Sequence, residues 1–249
     1  MPKTLALDVA FLPGEAASLE GRVAVVLDVL RASSTIVTLF DRGAESIGLA
    51  ASVEAARSEA RQVLGPRVLC GEVGGLPPYG FDYGNSPSEF AALDFSGKHV
   101  VMATTNGTAA VRACASASVV LIGCLLNANA VIRETLELLR ESEGVVLVCA
   151  GRQGQFVLDD AIAAGYLCHI FLNETKVRDL PVAQSNSASA AYRLYRSYSN
   201  LTSALNESAS AQALYPLRLS ADVGYCAQTS ITKRVPRLGT VEREGLYLL

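Results

Sequence analysis

The chain has few of the groups on which familiar hydrolytic sites are built. Only two histidines, His99 and His169, serve 249 residues. Neither falls in a polar turn, which argues against a Ser–His–Asp machinery and leaves both as strand-edge or helix-face residues. Six cysteines are present, yet no CxxC pair or zinc-type spacing occurs. They read as reduced core thiols, small hydrophobes of a cytosolic protein. Charged residues make up 18% of the chain and the net charge is -3, so no broad basic surface for nucleic acid is indicated. No apolar run approaches membrane-spanning length. The opening segment MPKTLALDVAFLPGE lacks the basic stretch and long apolar region of a secretion signal. The expectation is a cytoplasmic protein with no nucleic-acid or membrane partner.

Several phosphate-handling motifs are missing too. There is no GxxxxGK[ST] loop, and Gly151-Arg152-Gln153-Gly154 is not GxGxxG. Asp28-Val29-Leu30 lacks the second acid of the DxD aspartyl phosphatases. Gln155 stands where a cysteine phosphatase loop beginning at Cys149 needs its Arg. No flexible linker or array of repeats divides the chain. Half the residues are apolar, which suits a compact globule, and a homo-oligomer is compatible with that balance.

What is present is one pattern used three times: an apolar run, a polar turn, then a helix-like stretch. VAVVLDVL (23–30) leads into Arg31-Ala32-Ser33-Ser34-Thr35, and HVVMA (99–103) into Thr104-Thr105-Asn106-Gly107-Thr108. GVVLVCA (144–150) leads into Gly151-Arg152-Gln153-Gly154 and then Leu158-Asp159-Asp160-Ala161. Runs without period-two alternation suit parallel strands buried on both faces. Turns at the carboxyl ends of such strands build ligand crevices. Ser, Thr, Asn, Gly and Arg in those turns are the residue types that grip oxyanions at helix starts. The reading is a single α/β domain over 1–249, three-layer α/β/α with a largely parallel central sheet. The ligand crevice lies at the carboxyl ends of the strands, and a helical subregion covers 185–215.

Further elements follow from local signals. An edge strand is expected within 3–12, a helix over 36–42 capped by Ser33-Ser34-Thr35, a strand at 46–50 and a helix over 53–64. A strand begins at 68, helices are expected at 107–115, 128–142 and 158–172, and a strand at 119–123. Two helices with a break near 199–200 follow, then a helical turn at 222–226 and a closing strand or hairpin within 235–249. The Gly- and Pro-rich segment 71–87 reads as an ordered functional loop packed by Tyr79, Phe81 and Tyr83.

The candidate chemistry is carboxylate chemistry. Asp28 ends a buried strand, where a carboxylate needs a partner, and Arg31 is the nearest cation. Ser33, Ser34 and Thr35 exceed what a helix cap requires, and Thr105, Asn106, Gly107 and Thr108 form a matching second turn in the same expected sheet. Together they suggest a shared anionic ligand. Asp159 and Asp160 begin a helix, so one of them is expected to face the crevice. Asp28, Glu72 and one of that pair, Asp159, supply hard oxygens suited to Mg²⁺. Asp28, Arg31 and Asp160 are the candidate catalytic residues. Convergence of Asp28, Asn106 and Asp160 is the condition on which this reading stands.

These residues resemble a known family. DVLRASST (28–35), GE-x-GG (71–75), GFDYGNSP-x-E (80–89), TTNGT (104–108), CAG-x-x-G (149–154) with LDD-x-x-x-AG (158–165), and D-x-x-YC (222–226) are similar to the 2-phosphosulfolactate phosphatases in order along almost the whole chain. The resemblance implies an Mg²⁺-dependent α/β phosphomonoesterase that releases inorganic phosphate and sulfolactate on the route to coenzyme M. It places Asn85 among the substrate-binding groups, beside the two turns. Three positions depart from the pattern: Val73 and Ala109 stand where arginines are expected, and Asn186 where an Asp is expected. Arg112, one turn beyond Ala109, and Arg152, in the third turn, are the cations placed to compensate. A phosphatase acting on another phosphorylated hydroxy acid, and an anion-binding module without catalysis, are the alternatives.

Overall fold

The computed structural model describes residues 4–16, 19–104, 106–139, 142–239 and 246–249. Nine strands occur among them: β1 (Leu5–Ala10), β2 (Val23–Leu27), β3 (Ser46–Ala50), β4 (Arg67–Gly71), β5 (His99–Ala103), β6 (Val119–Gly123), β7 (Gly144–Cys149), β8 (Val182–Gln184) and β9 (Leu246–Leu248). The helices are α1 (Ala32–Asp41), α2 (Val53–Gln62), α3 (Pro87–Phe90), α4 (Asn106–Ala113), α5 (Ala128–Leu138), α6 (Leu158–Val177), α7 (Asn186–Arg196), α8 (Leu201–Asn206), α9 (Ala209–Leu214) and α10 (Ser220–Cys226).

The uninterrupted apolar runs became the central strands. Every residue of β2 and β7 is buried. They pair in parallel, with Val25 opposite Leu147, and β6 continues the sheet with Leu121 opposite Val25. The sheet order is β6-β2-β7-β1-β8, all parallel. Side chains of one face, including Val25, Leu27 and Leu147, pack on Val131 and Ile132 of α5 and Leu167 and Phe171 of α6. Those of the other face, including Ala24, Val26 and Val148, join Ile36, Val37 and Leu39 of α1 and Val111 of α4. This is the expected α/β/α arrangement around a largely parallel sheet.

A second sheet lies beyond it, in the order β4-β5-β3-β9, with β9 alone antiparallel. Ile47, Val100 and Met102 of this sheet enter the same core cluster as Val26 and Val148 of the first. Helices α1 and α4 therefore sit between two sheets, which explains why α1 is buried from Ala32 to Phe40. The outer face of the second sheet is covered by Ala56 and Ala60 of α2.

Four local expectations need correction. First, β1 is not an edge strand: it pairs with both β7 and β8, and the short, half-exposed β8 forms the edge. Second, Ser33-Ser34-Thr35 do not cap α1. The helix starts at Ala32, and Asp28 performs the capping, its Oδ1 accepting from Ala32 N–H at 3.2 Å and its carbonyl from Ser33 N–H at 2.8 Å. Third, the β2 and β5 turns belong to different sheets. Fourth, the break at 199–200 is found, between α7 and α8, but three helices (α7, α8, α9) occupy the stretch where two were expected. Among the described residues no helix is long and apolar enough to cross a membrane.

Candidate active site

Four strand ends meet at one pocket. From the first sheet, the turn after β2 brings Asp28, Leu30, Arg31 and Ala32, and the turn after β7 brings Gly151, Arg152 and Gln153. From the second, the turn after β4 brings Glu72, Gly74 and Gly75, and the turn after β5 brings Thr104 and Asn106. Asp159 and Asp160 of α6, Asn85, Ser210 and the apolar Val157, Ala213 and Leu214 complete the lining. Asp28, Asn106 and Asp160 thus converge, although 132 residues separate the first from the last.

Both members of the acid pair reach the pocket, not one. They occupy the first turn of α6, which meets the pocket end-on, so neighbouring positions both face it. Their surroundings differ. Asp160 has each oxygen occupied by a backbone amide: Oδ1 accepts from Val29 N–H at 2.8 Å and Oδ2 from Gly151 N–H at 3.0 Å. It ties the β2 and β7 turns together while lining the pocket. Asp159 Oδ1 is buried and accepts no hydrogen bond.

Burial governs how these acids titrate. Burial pushes the Asp28 carboxyl up to about 7; the Ala32 amide opposes this, and the charges of Asp159 and Glu72 add to it. Burial also pushes Asp159 up to about 6, against the hydroxyls of Ser210 and Ser208. Asp160 is raised well above the usual range, by burial and by the charges of Asp159 and Asp28.

The candidate Asp28–Arg31 pair does not form. Arg31 extends away, its Nη1 reaching Oδ2 of Asp222 on α10 at 2.8 Å and its Nη2 donating to the Gly75 carbonyl at 3.0 Å. The Asp222 side chain is fully buried. Its Oδ1 accepts from Ser86 Oγ at 2.7 Å, Ser88 Oγ at 2.6 Å and Ser88 N–H at 3.2 Å. Asp222 stood in the sequence within D-x-x-YC, but nothing local to that motif pointed to Arg31.

Of the three hydroxyls after Arg31, none lines the pocket. Ser33 Oγ accepts from Asp28 N–H at 2.9 Å, and Ser34 Oγ donates to the Val29 carbonyl at 2.8 Å. Thr35 Oγ1 is buried without a partner. These groups support the Asp28 turn from behind. Asn106 is at the pocket, with Oδ1 accepting from Gln153 N–H at 3.2 Å, so it joins the second sheet's turn to the first's. Thr108 is turned away, its hydroxyl 3.1 Å from Thr104 Oγ1 and 3.3 Å from the Ala50 carbonyl. Gly107 makes room: a methyl group there would stand 3.2 Å from Asp28 Oδ2 and 2.9 Å from Ala32 Cβ. Thr105 lies outside the described residues. Glu72 Oε2 accepts from Gly75 N–H at 2.7 Å, and the buried Asn85 has its Oδ1 unpartnered. In the loop before Asn85, Tyr83 packs edge-on against Phe90 and Phe95, whereas Tyr79 is exposed.

Of the departures from the family pattern, Asn186 begins α7, and neither it nor Arg112 is part of the pocket lining. Arg152 is. A strand-end crevice that gathers buried acids and a clamped guanidinium suits an anionic ligand in an α/β protein. Comparison with known sequences makes the class specific. The sequence model described as 2-phosphosulpholactate phosphatase matches residues 11–240. A protein of Deinococcus radiodurans named probable 2-phosphosulfolactate phosphatase is 41% identical over 217 residues, 87% of each chain. One of Thermus thermophilus with the same name is 39% identical over 235 residues, covering 93% of this chain and 94% of its own. One of Clostridium acetobutylicum, again so named, is 33% identical over 218 residues, 88% and 90% of the two chains. The chain belongs to the 2-phosphosulfolactate phosphatase family, and is a phosphoric monoester hydrolase.

Proposed function

We propose that this protein is an Mg²⁺-dependent phosphatase of the cytoplasm that splits 2-phosphosulfolactate into inorganic phosphate and sulfolactate, a step toward coenzyme M. One observation carries the reading: Asp28, Glu72, Asp159 and Asp160 line a single pocket, with Asp222 directly behind Arg31. An anionic ester entering such a pocket meets repulsion unless a cation is bound first. The donor set fits Mg²⁺. It consists of hard oxygens, and Asp159 Oδ1 and Asn85 Oδ1 are buried acceptors lacking a donor. No three of the described His, Cys, Asp or Glu side chains form a ready cage. That suits an ion which keeps waters and takes substrate phosphate oxygens alongside a carboxylate or two.

Of Asp28, Glu72 and Asp159, one or two would hold the ion directly and the others would reach it through its waters. When bound, Mg²⁺ neutralises the phosphoryl oxygens and draws charge from the ester phosphorus. Arg31, fixed by Asp222 and the Gly75 carbonyl, presents its guanidinium to the equatorial phosphoryl oxygens. Asn106 and Asn85 offer neutral amide groups to the ester, and Asp160 keeps the β2 and β7 turns in register. Asp28 Oδ2 faces the space that Gly107 leaves open, where it can orient the attacking water and take its proton. Such chemistry is mostly placement and charge stabilisation, which a site made of turns can provide. The six free, buried cysteines accord with a reducing compartment.

The test is phosphate release from 2-phosphosulfolactate by the purified protein, with Mg²⁺ and after chelation, beside thermal unfolding in Mg²⁺ alone. Release that requires Mg²⁺, with a rise in Tm on adding the ion, supports the reading. No release at any Mg²⁺ concentration from folded protein overturns it.

A further inference from the structure

Two sheets present four edges, and the chain covers three of them itself. Residues 236–239 run between β6 and β9. On one side Ile122 N–H donates to the Pro236 carbonyl at 2.9 Å, and Leu238 N–H to the Val120 carbonyl at 2.9 Å. On the other, Arg237 and Leu249 exchange amide hydrogen bonds of 3.0 Å. The edge at β4 is closed by the loop that follows it. There Asp82 N–H donates to the Leu69 carbonyl at 2.9 Å and Gly71 N–H to the Gly84 carbonyl at 3.2 Å. Among the described residues only β8 is left open.

Its backbone groups divide cleanly between the two sides. Leu5 N–H donates to the Pro181 carbonyl at 2.8 Å and Ser185 N–H to the Leu7 carbonyl at 3.0 Å, with Ala183 opposite Ala6. A parallel ladder uses every second residue in this way, so Pro181, Ala183 and Ser185 serve β1. The N–H and C=O groups of Val182 and Gln184 point outward, and no described residue bonds them. Proline often blunts an edge, but Pro181 is turned inward and leaves this one able to pair.

We propose that β8 is the docking edge for a second copy of this chain, paired antiparallel across a two-fold axis through Ala183. In that pairing Val182 lies opposite the partner's Gln184, and the two exchange their outward groups, so no donor or acceptor is left over. Ala183 meets the partner's Ala183 as a pair without hydrogen bonds, the closest approach in such a ladder, and two methyl groups fit there. The groove beside the strand suits its own copy as well. Its wall carries both Lys176 and Asp179, with Leu172 and Leu180 as apolar surface to cover. A two-fold axis can set each charge toward its opposite, as a wall of one sign could not.

The experiment is sedimentation of the full chain from about 1 to 100 μM, a range suited to a small interface. Wild type is compared with Ala183→Glu and Ala183→Lys. Residue 183 is exposed, so both substitutions leave the fold intact, which circular dichroism checks. Wild type is expected to rise to the mass of a dimer. Each charged variant sets like charges face to face and weakens association at least about tenfold. An equimolar mixture of the two variants restores the dimer, because Glu then meets Lys across the axis. Hydrogen exchange on wild type adds a readout that needs no variant: the Val182 and Gln184 amides slow as concentration rises. A monomer at every concentration overturns the proposal and leaves the edge to a strand of another protein. A dimer that neither charged variant weakens overturns it, since that dimer uses another surface. So does a mixture no tighter than its components, or exchange at Val182 and Gln184 that ignores concentration.

Discussion

The two sheets send strand ends to one pocket but bring opposite chemistry. The first sheet contributes Asp28 and Arg31 directly, and Asp159 and Asp160 through the helix that follows β7. Apart from Glu72, the second sheet contributes Thr104, Asn106 and two glycines. The difference follows from support. Charges in the first sheet's turns are held by backbone amides of Ala32, Val29 and Gly151 and by the buried Asp222 network. Ionic groups survive burial only with such partners. The second sheet's β4 turn is a small hairpin, Val73 against Leu76, with Gly74 and Gly75 at positive φ, able to approach a ligand closely but unable to shield a charge. Among the described residues two hydrogen bonds cross the pocket, Arg31 to the Gly75 carbonyl and Gln153 to Asn106, and join the halves.

The sharpest break of this contrast is in activity. Asp28→Asn, or Asp159→Asn, should lower kcat by on the order of 10²–10³-fold with the fold intact. Asn106→Ala, the counterpart on the second sheet, should cost roughly tenfold, as for one neutral hydrogen bond. Steady-state phosphate release with the three variants measures both. If Asn106→Ala proves as damaging as Asp28→Asn, the division into an acidic half and a neutral half is not the functional one.

Stability offers the next comparison. Asp222→Ala leaves Arg31 buried without a counter-charge and leaves the Ser86 and Ser88 hydroxyls without their acceptor. The expected loss is about 3–5 kcal/mol, read by urea unfolding. On the second-sheet side, Gly75→Ala must adopt a φ of +87° and place its methyl 2.5 Å from Leu217 Cδ1, the end of a flexible side chain. A loss of about 1 kcal/mol is expected there. Reversal of that order would show the Arg31–Asp222 pair to be dispensable for the fold.

The acids of the first sheet also set a pH dependence for the metal-free protein. Burial holds Asp28 at about 7 and Asp159 at about 6 when folded. Unfolded carboxyls release their protons near 3.8, so between that pH and about 7 the unfolded chain binds fewer protons. Stability therefore falls as pH rises across this window, by a few kcal/mol in all. It is full below the unfolded value and lost above the folded one. Urea midpoints taken in chelator from pH 4 to 8 should decline, and Asp28→Asn should flatten the decline. A metal-free protein that gains stability over this window would contradict the burial of these acids.

Much of the first sheet was legible in the sequence because its signals are local. Unbroken apolar runs at 23–27 and 144–149 allow little but buried parallel strands, and the polar turns after them fixed the end of the sheet that binds. Asp28, Glu72, Asn85, Asn106, Asp159 and Asp160 were found by the same logic or by the family motifs. What escaped depended on partners distant in the chain. The apolar run at 99–103 reads like the one at 23–27, and nothing in either says that they belong to different sheets. Arg31 lies 191 residues from Asp222, so proximity in sequence favoured Asp28 as its partner. The Ser33-Ser34-Thr35 run resembled a cap because hydroxyls that brace a turn from behind and hydroxyls that face a ligand have the same spacing.

The mildest change tests whether the second sheet's half can be given charge. Val73 is 61% exposed on the β4 hairpin, next to Glu72 and to the pocket-lining Gly74. Val73→Arg places a guanidinium at the rim, where the family pattern expects one. An exposed cation acts through water, so its effect on an anionic ester is small, about 0.2–1 kcal/mol, and is screened by salt. The expected outcome is a gain of about two- to fivefold in kcat/KM for 2-phosphosulfolactate over 2-phospholactate at low ionic strength, vanishing at high salt, with the unfolding midpoint unchanged. A gain that survives high salt would mean that the new side chain has entered the pocket and bonds the sulfonate directly. No gain at low salt would mean that the hairpin points its side chains away from the ester.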